Sequence, residues 1–164
     1  MRTNFVAAAL VLAVPILTTD PATAQQTSSA DFVEKVVISD MFEIRSGNLA
    51  ADQAENDEVR SFGQKMVDDH KKTSDELRDL IEDEELKVDL LKELDQDHQA
   101  KMDNLKKLSG NKFDRAYVPM QVKAHEAAVD LFKNYAKNGD NDELKEWAED
   151  TLPPFELNGQ HQPR

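Results

Sequence analysis

From Asp31 to about Pro154 the apolar residues recur three and four positions apart, and no segment alternates with period two. A 3.6-residue period lines up one face of a helix, whereas a half-buried strand needs alternation, so the pattern predicts an all-α fold. Long amphipathic helices with short connections bury their stripes most simply as an antiparallel four-helix bundle of the ferritin-like kind. With 5 Gly and 6 Pro in 164 residues, the chain also lacks the turn formers of a sheet-rich domain.

The amino terminus has a different pattern. Arg2 precedes an apolar run from Phe5 to Leu17, Pro15 interrupts its end, and Ala22-Thr23-Ala24 forms an A-x-A site before Gln25. This is the order of a cleaved signal peptide, residues 1–24. The run falls short of the ~20 apolar residues that span a bilayer, and no second run follows. The mature chain is therefore expected in the periplasm or outside the cell, with no stable membrane insertion after cleavage.

Residues 25–30 form a polar lead, and the bundle is expected over 31–154. The first helix, from Asp31 to Ala54, places Phe32, Val36, Gly47, Ala50 and Ala54 on one face and Ile38, Met41, Phe42 and Leu49 on the other. A helix with two apolar faces is well enclosed, or it leaves area for association of copies. Asn56 caps a second helix to about Asp83, with Val59, Phe62, Met66, Leu77, Leu80 and Ile81 inward. A third segment runs on to Leu108 with Leu91, Leu94, Met102, Leu105 and Leu108 inward. Asn111 caps the next helix, whose stripe is Phe113, Tyr117, Met120, Ala124, Ala128, Leu131 and Tyr135, and Gly139 closes it. A last short helix carries Leu144, Trp147 and Ala148 and stops at Leu152-Pro153-Pro154, before a polar tail over 155–164.

Charge narrows the choice of partner. With 33 acidic against 20 basic residues the net charge is -13. Nucleic acid binding, which needs a basic face to release counterions, is disfavoured, and so are anionic lipid surfaces. A protein partner of unknown kind stays open. There is no cysteine, which excludes disulfides, thiolate metal sites, cysteine nucleophiles and a lipobox anchor.

The motifs Gly47-x-Leu49-Ala50, Phe62-x-x-x-Met66-x-x-Asp69-His70, Leu108-Ser109-Gly110-x-x-Phe113-Asp114-x-x-Tyr117, Gln121-Val122-x-x-His125 and Thr151-Leu152-Pro153 resemble one known pattern. It is similar to the domain-of-unknown-function family 4142, over nearly all of the chain from Asp31 to Pro154. The resemblance implies a ferritin-like bundle in the cell envelope and no established reaction. Members tend to continue past the Leu-Pro pair as a helix bearing a histidine. Here Asn158 stands at that place, and His161 follows three residues later.

Polar residues on inward faces are the source of any site. Glu43 shares the stripe of Phe32, Val36 and Ala50, His70 lies between Met66 and Leu77, and His125 is one turn from Gln121. With His98 as a fourth, these groups are candidate ligands for a divalent first-row metal, which imidazole and carboxylate suit. A second reading is equally physical: each histidine is satisfied within the core, and Glu43 pairs with His70 or Arg45. A di-iron bundle needs Glu-x-x-His on two helices, and the nearest imitation here is Asp95-x-x-His98. No phosphate loop, nucleophile elbow or H-E-x-x-H occurs, so the expectation is an envelope structural or binding protein, with a metal-dependent oxidase as the alternative.

Overall fold

The computed structural model describes residues 26–88 and 90–160, with side chains as far as Leu152. The expected signal peptide and His161 lie outside the described residues. Among these residues five helices follow in order: α1 (Ser29–Gln53), α2 (Asp57–Asp83), α3 (Gln96–Leu105), α4 (Asn111–Asn138) and α5 (Asp142–Gln160). The four longer ones form the bundle, and no helix among the described residues is long and apolar enough to cross a membrane.

Local chemistry sets the helix starts. Ser28, Asn56, Asp95 and Asn141 each accept a backbone N–H of the following first turn, from Asp31, Glu58, His98 and Leu144. The expected cap at Asn111 is corrected: Gly110, at φ 59°, holds the cap position, and Asn111 N–H donates instead to Glu55 Oε2 at 2.8 Å. A carboxylate from the α1–α2 corner thus satisfies the start of α4. Asp114 returns the favour by accepting the N–H groups of Glu55 and Asn56.

These bonds also fix direction. Gly110 N–H donates to Gln53 carbonyl at one end, and Thr27 N–H donates to Asn138 carbonyl at the other. Helix α4 therefore runs antiparallel to α1, as α2 does, and residues 84–110 must return along the bundle. Helix α2 ends in a Schellman motif, with Leu86 N–H on Ile81 carbonyl, Glu85 N–H on Glu82 carbonyl, and Glu85 itself at φ 49°. The third segment is consequently not helical from its start: among its described residues only Gln96–Leu105 is, Leu91 is exposed, and Leu94 is half-buried. Extended chain covers about 3.3 Å per residue against 1.5 Å in a helix, which suits a segment that must travel.

The carboxyl end needs a further correction. Helix α5 does not stop at Leu152 but runs through both prolines to Gln160. Proline's fixed φ is helical, and its cost here is the missing N–H donors to the carbonyls of Glu149 and Asp150.

Two apolar clusters fill the bundle. One joins Phe32, Val33, Val36, Leu77, Ile81, Phe132, Tyr135, Leu144 and Ala148. The other joins Ala50, Ala54, Val59, Phe62, Met66, Leu105, Phe113 and Tyr117. Gly47 and Gly63 bring α1 and α2 together between them, since a Cβ on Gly47 would lie 2.6 Å from Gly63 carbonyl oxygen.

Candidate functional site

Between the two apolar clusters the bundle carries a polar layer. Helix α1 contributes Asp40, Glu43 and Ser46, α2 contributes His70 and Thr73, and α4 contributes Gln121 and His125, all buried. On each helix these residues continue the inward stripe, so the periodicity that buries Val36 and Ala50 buries the charges between them.

Most members are tied to a neighbour. His70 Nδ1–H donates to Asp40 Oδ1 at 2.7 Å, and Ser74 Oγ–H donates to Asp40 Oδ2 at 2.9 Å. His125 Nδ1–H donates to the Gln121 carbonyl at 3.0 Å, and the Gln121 amide donates to Ser46 Oγ at 3.1 Å. The rings of His70 and His125 meet edge to face, centroids 6.1 Å apart.

Glu43 is the exception. It is 1% exposed, and among the described residues no close hydrogen bond reaches either carboxyl oxygen, the Gln121 amide acting on it only weakly while it bonds Ser46 Oγ. Burial pushes its pKa up to about 7; the His70 charge and the nearby Gln121 amide pull it down, and Asp40 adds to the rise. Burial by itself would depress His70, but the Asp40 hydrogen bond and the carboxylates of Asp40, Glu43 and Asp69 raise its pKa on balance. His125 goes the other way: burial and the neighbouring His70 lower it, against the Gln121 carbonyl and Asp69. Tyr117 is pushed up by burial and by Glu43. Each additional charge in the layer therefore changes the protonation of the others.

The structure brings Glu43, His70 and His125 to this one layer and places His98 elsewhere. His98 lies on the other side of α1, its ring edge-on to Phe42 at 5.2 Å and its Nδ1–H on Asp95 at 2.8 Å. The cap that starts α3 holds it there. Arg45 is exposed, so His70 rather than Arg45 faces Glu43. Among the described residues no three His, Cys, Asp or Glu side chains converge as a ligand set for a metal ion.

His98 instead borders a groove between α1, α3 and α4, a cavity of about 610 Å³. Ile38, Phe42, Met120, Ala124, Ala128 and Leu131 form its apolar walls. The expected stripe of α4 is corrected accordingly. Phe113, Tyr117, Ala128 and Tyr135 are buried, but Met120, Ala124 and Leu131 are only half-buried and face the groove, while Gln121, His125 and Phe132 take the core positions. Of the second apolar face of α1, Ile38 and Phe42 are buried within the chain and Leu49 is half-buried, which fits the enclosed reading of that helix.

A family model for a domain of unknown function, DUF4142, matches residues 16–162. The chain belongs to the DUF4142 family. No curated protein matches it significantly in sequence. Solved structures share the fold, two of them as follows. One is a DUF305 protein of Streptomyces coelicolor regarded as secreted, at TM-score 0.64 and 12% identity over 79% of this chain and 85% of that one. The other is CopM in its Cu(II)-bound form, at TM-score 0.67 and 18% identity over 82% of this chain and 93% of that one.

In this DUF4142 chain, sequence reasoning missed Asp40, the residue that orients His70. The signal was present: Asp40 lies four residues after Val36 and three before Glu43, on the same helical arc. A short acid in a helix reads as a surface residue, and only its burial at 2% exposure shows otherwise.

Proposed function

We propose that this DUF4142 protein is an exported, non-enzymatic binding protein of the cell envelope, which takes a small apolar or amphipathic ligand in the α1–α3–α4 groove. The groove carries the reading. Its volume of about 610 Å³ lies within the range of small-molecule sites, roughly 300–1,000 Å³, and its walls are mainly apolar with a few polar groups at the rim. Three alanines of α4, Ala124, Ala127 and Ala128, hollow it where larger side chains would fill it. Export rests on the Phe5–Leu17 run and the Ala22-Thr23-Ala24 site.

The test is binding of N-phenyl-1-naphthylamine, an apolar dye that brightens out of water, to protein recovered from the envelope fraction. Saturable 1:1 uptake that Ala124→Trp abolishes, with helicity and melting temperature retained, supports the reading. Absence of uptake, or uptake unchanged in Ala124→Trp, overturns it. Mass spectrometry of the same sample should find Gln25 at the amino terminus.

A second reading rests on Glu43. A buried carboxyl that no close hydrogen bond reaches among the described residues, facing His70, is a costly arrangement that a cation would relieve. Asp40 fixes the His70 ring through Nδ1, as carboxylates hydrogen-bonded to metal-binding histidines do. The Cu(II)-bound CopM neighbour makes copper(II) the first ion to try. Glu43, His70 and His125 would have to rotate towards a common point. Stoichiometric copper uptake lost in both His70→Ala and Glu43→Gln supports this reading, and uptake unaffected by either excludes it.

A further inference from the structure

Helix α3 stops short of the far end of the groove it borders. It runs alongside α1 in the same direction, because the His98 ring lies against Phe42 and Leu105 packs in one cluster with Ala50 and Ala54. The groove continues past the start of α3, with Ile38 and Lys35 on the α1 wall and Ala127, Leu131 and Asn134 on the α4 wall. It therefore lies in line with α3, where earlier turns of the same helix would run.

The residues just before α3 carry the pattern those turns need. Leu91 and Leu94 precede His98, Met102 and Leu105 at spacings of three and four. A helix begun at Leu90 instead of Gln96 would thus continue the stripe by which α3 faces α1. One turn back from His98 is Leu94, and one turn back from Phe42 is Ile38. A further turn pairs Leu91 with Lys35, and the Thr27–Asn138 hydrogen bond sets Asp130 and Leu131 at that level. Residues 90–95 include no Gly, Pro or β-branched residue to oppose a helix.

In the structure these residues lie elsewhere. Leu90 and Leu91 sit on the other flank of α1, in a cleft of about 150 Å³ with Val37, Met41, Leu77 and Arg78, and stay 39% and 38% exposed. Asp95 fixes the start of α3 by accepting the His98 N–H at 2.8 Å, a bond that the Leu94 carbonyl would take over in a longer helix.

Resting on the reading of the groove as a binding site, we infer that residues 90–95 are a strap that closes it. They wind onto the start of α3 and lay Leu91 and Leu94 in the space a ligand takes, so strap and ligand compete. The arrangement described above is the open form. Closure exchanges the Asp95 cap and two exposed leucines for helical hydrogen bonds and an apolar seat. The six residues between Asp83 and Leu90 span roughly 20 Å when extended, enough to cross α1 with α2 unmoved.

The chain has no cysteine, so introduced pairs report cleanly. Leu91→Cys/Leu131→Cys should form an intramolecular disulfide on diamide oxidation, because closure brings both positions to one level of the groove. In the open form α1 stands between them, and a disulfide needs Cα atoms within about 7 Å. Oxidation should abolish N-phenyl-1-naphthylamine binding, dithiothreitol should restore it, and saturating dye should slow the cross-link. Leu91→Cys/Arg78→Cys joins two walls of the α1–α2 cleft and should lock the strap open with dye binding kept. Adding Lys92→Gly/Glu93→Gly to the first pair disfavours the helix and should slow its cross-link roughly fivefold. If Leu91→Cys/Leu131→Cys stays reduced while Leu91→Cys/Arg78→Cys closes, the strap inference falls and the groove remains a binding site. The same holds if the first pair cross-links yet binds dye as before. If the reduced protein takes up no dye but the Leu91–Leu131 cross-link forms, the binding reading falls and the strap stands as the groove's own occupant.

Discussion

Asp40 on α1 accepts a 2.7 Å hydrogen bond from the Nδ1–H of His70 on α2, at the level where the bundle changes from one apolar cluster to the other. Both groups are buried, and Ser74 occupies the second carboxylate oxygen. The pair closes one side of a layer whose other members, Glu43, Gln121 and His125, come from α1 and α4. Its effect is to tie α1 and α2 in a single register, because a slip along either helix would leave a buried charge unpaired.

Asp40→Ala should therefore be among the most destabilising single changes. Removing one partner of a buried pair typically costs about 3–5 kcal/mol. Urea unfolding followed by circular dichroism measures it. With the Asp40 bond gone, burial should dominate at His70, and its pKa should fall in an NMR titration.

The carboxyl of Glu43 makes stability depend on pH. Its pKa rises from 4.5 to about 7 in the folded protein, so between those values the native state holds the proton more tightly than the unfolded chain. That contribution is full below pH 4.5 and is lost as pH rises through 7. His70, also raised, acts in the same direction at the upper end of this window, and His125, lowered, acts oppositely as pH falls below its ordinary 6.5. Comparison with Glu43→Gln isolates the carboxyl. The variant should gain about 1–3 kcal/mol relative to wild type between pH 4.5 and pH 8. Parallel stability curves across that range would show that Glu43 does not titrate there.

Gly47→Ala should loosen the α1–α2 contact. Its Cβ would meet the Gly63 carbonyl oxygen at 2.6 Å, a backbone atom that cannot rotate away. Overpacking of this kind costs about 1–3 kcal/mol, enough to lower the melting temperature by several degrees. A melting temperature equal to wild type would mean that the two helices can separate freely at this level.

Glu85→Gly should stabilise the protein. Glu85 sits at φ 49° in the Schellman motif that ends α2, is exposed, and makes no side-chain hydrogen bond among the described residues. Glycine adopts this conformation without the Cβ penalty, a gain of about 0.5–1 kcal/mol after the entropy of the unfolded chain is counted. A loss of stability would indicate that the side chain contributes more than its backbone strain costs.

Periodicity and caps were readable one helix at a time because both depend on neighbours within a turn. The spacing around Phe32, Val36 and Ala50 places α1, Asn56 starts α2, and Gly139 ends α4, all from contacts no more than four residues long. The same local rules put Glu43, His70 and His125 on inward faces before any tertiary contact was known. Where they failed, a distant group decided. Glu55 took the capping role expected of Asn111, and the return of the chain from α2 to α4 kept most of residues 84–95 out of a helix. Packing between helices also chose which edge of the α4 stripe entered the core, sending Phe132 and His125 inward and Ala124 and Leu131 to the groove. A stripe fixes a helical face only to within the width of its apolar arc, so the sequence by itself determined the helices and their polar inward residues. The pairing of Asp40 with His70, the isolation of Glu43, the removal of His98 to another surface and the opening of the groove depended on residues far apart in the chain. Only the assembled bundle brought them together.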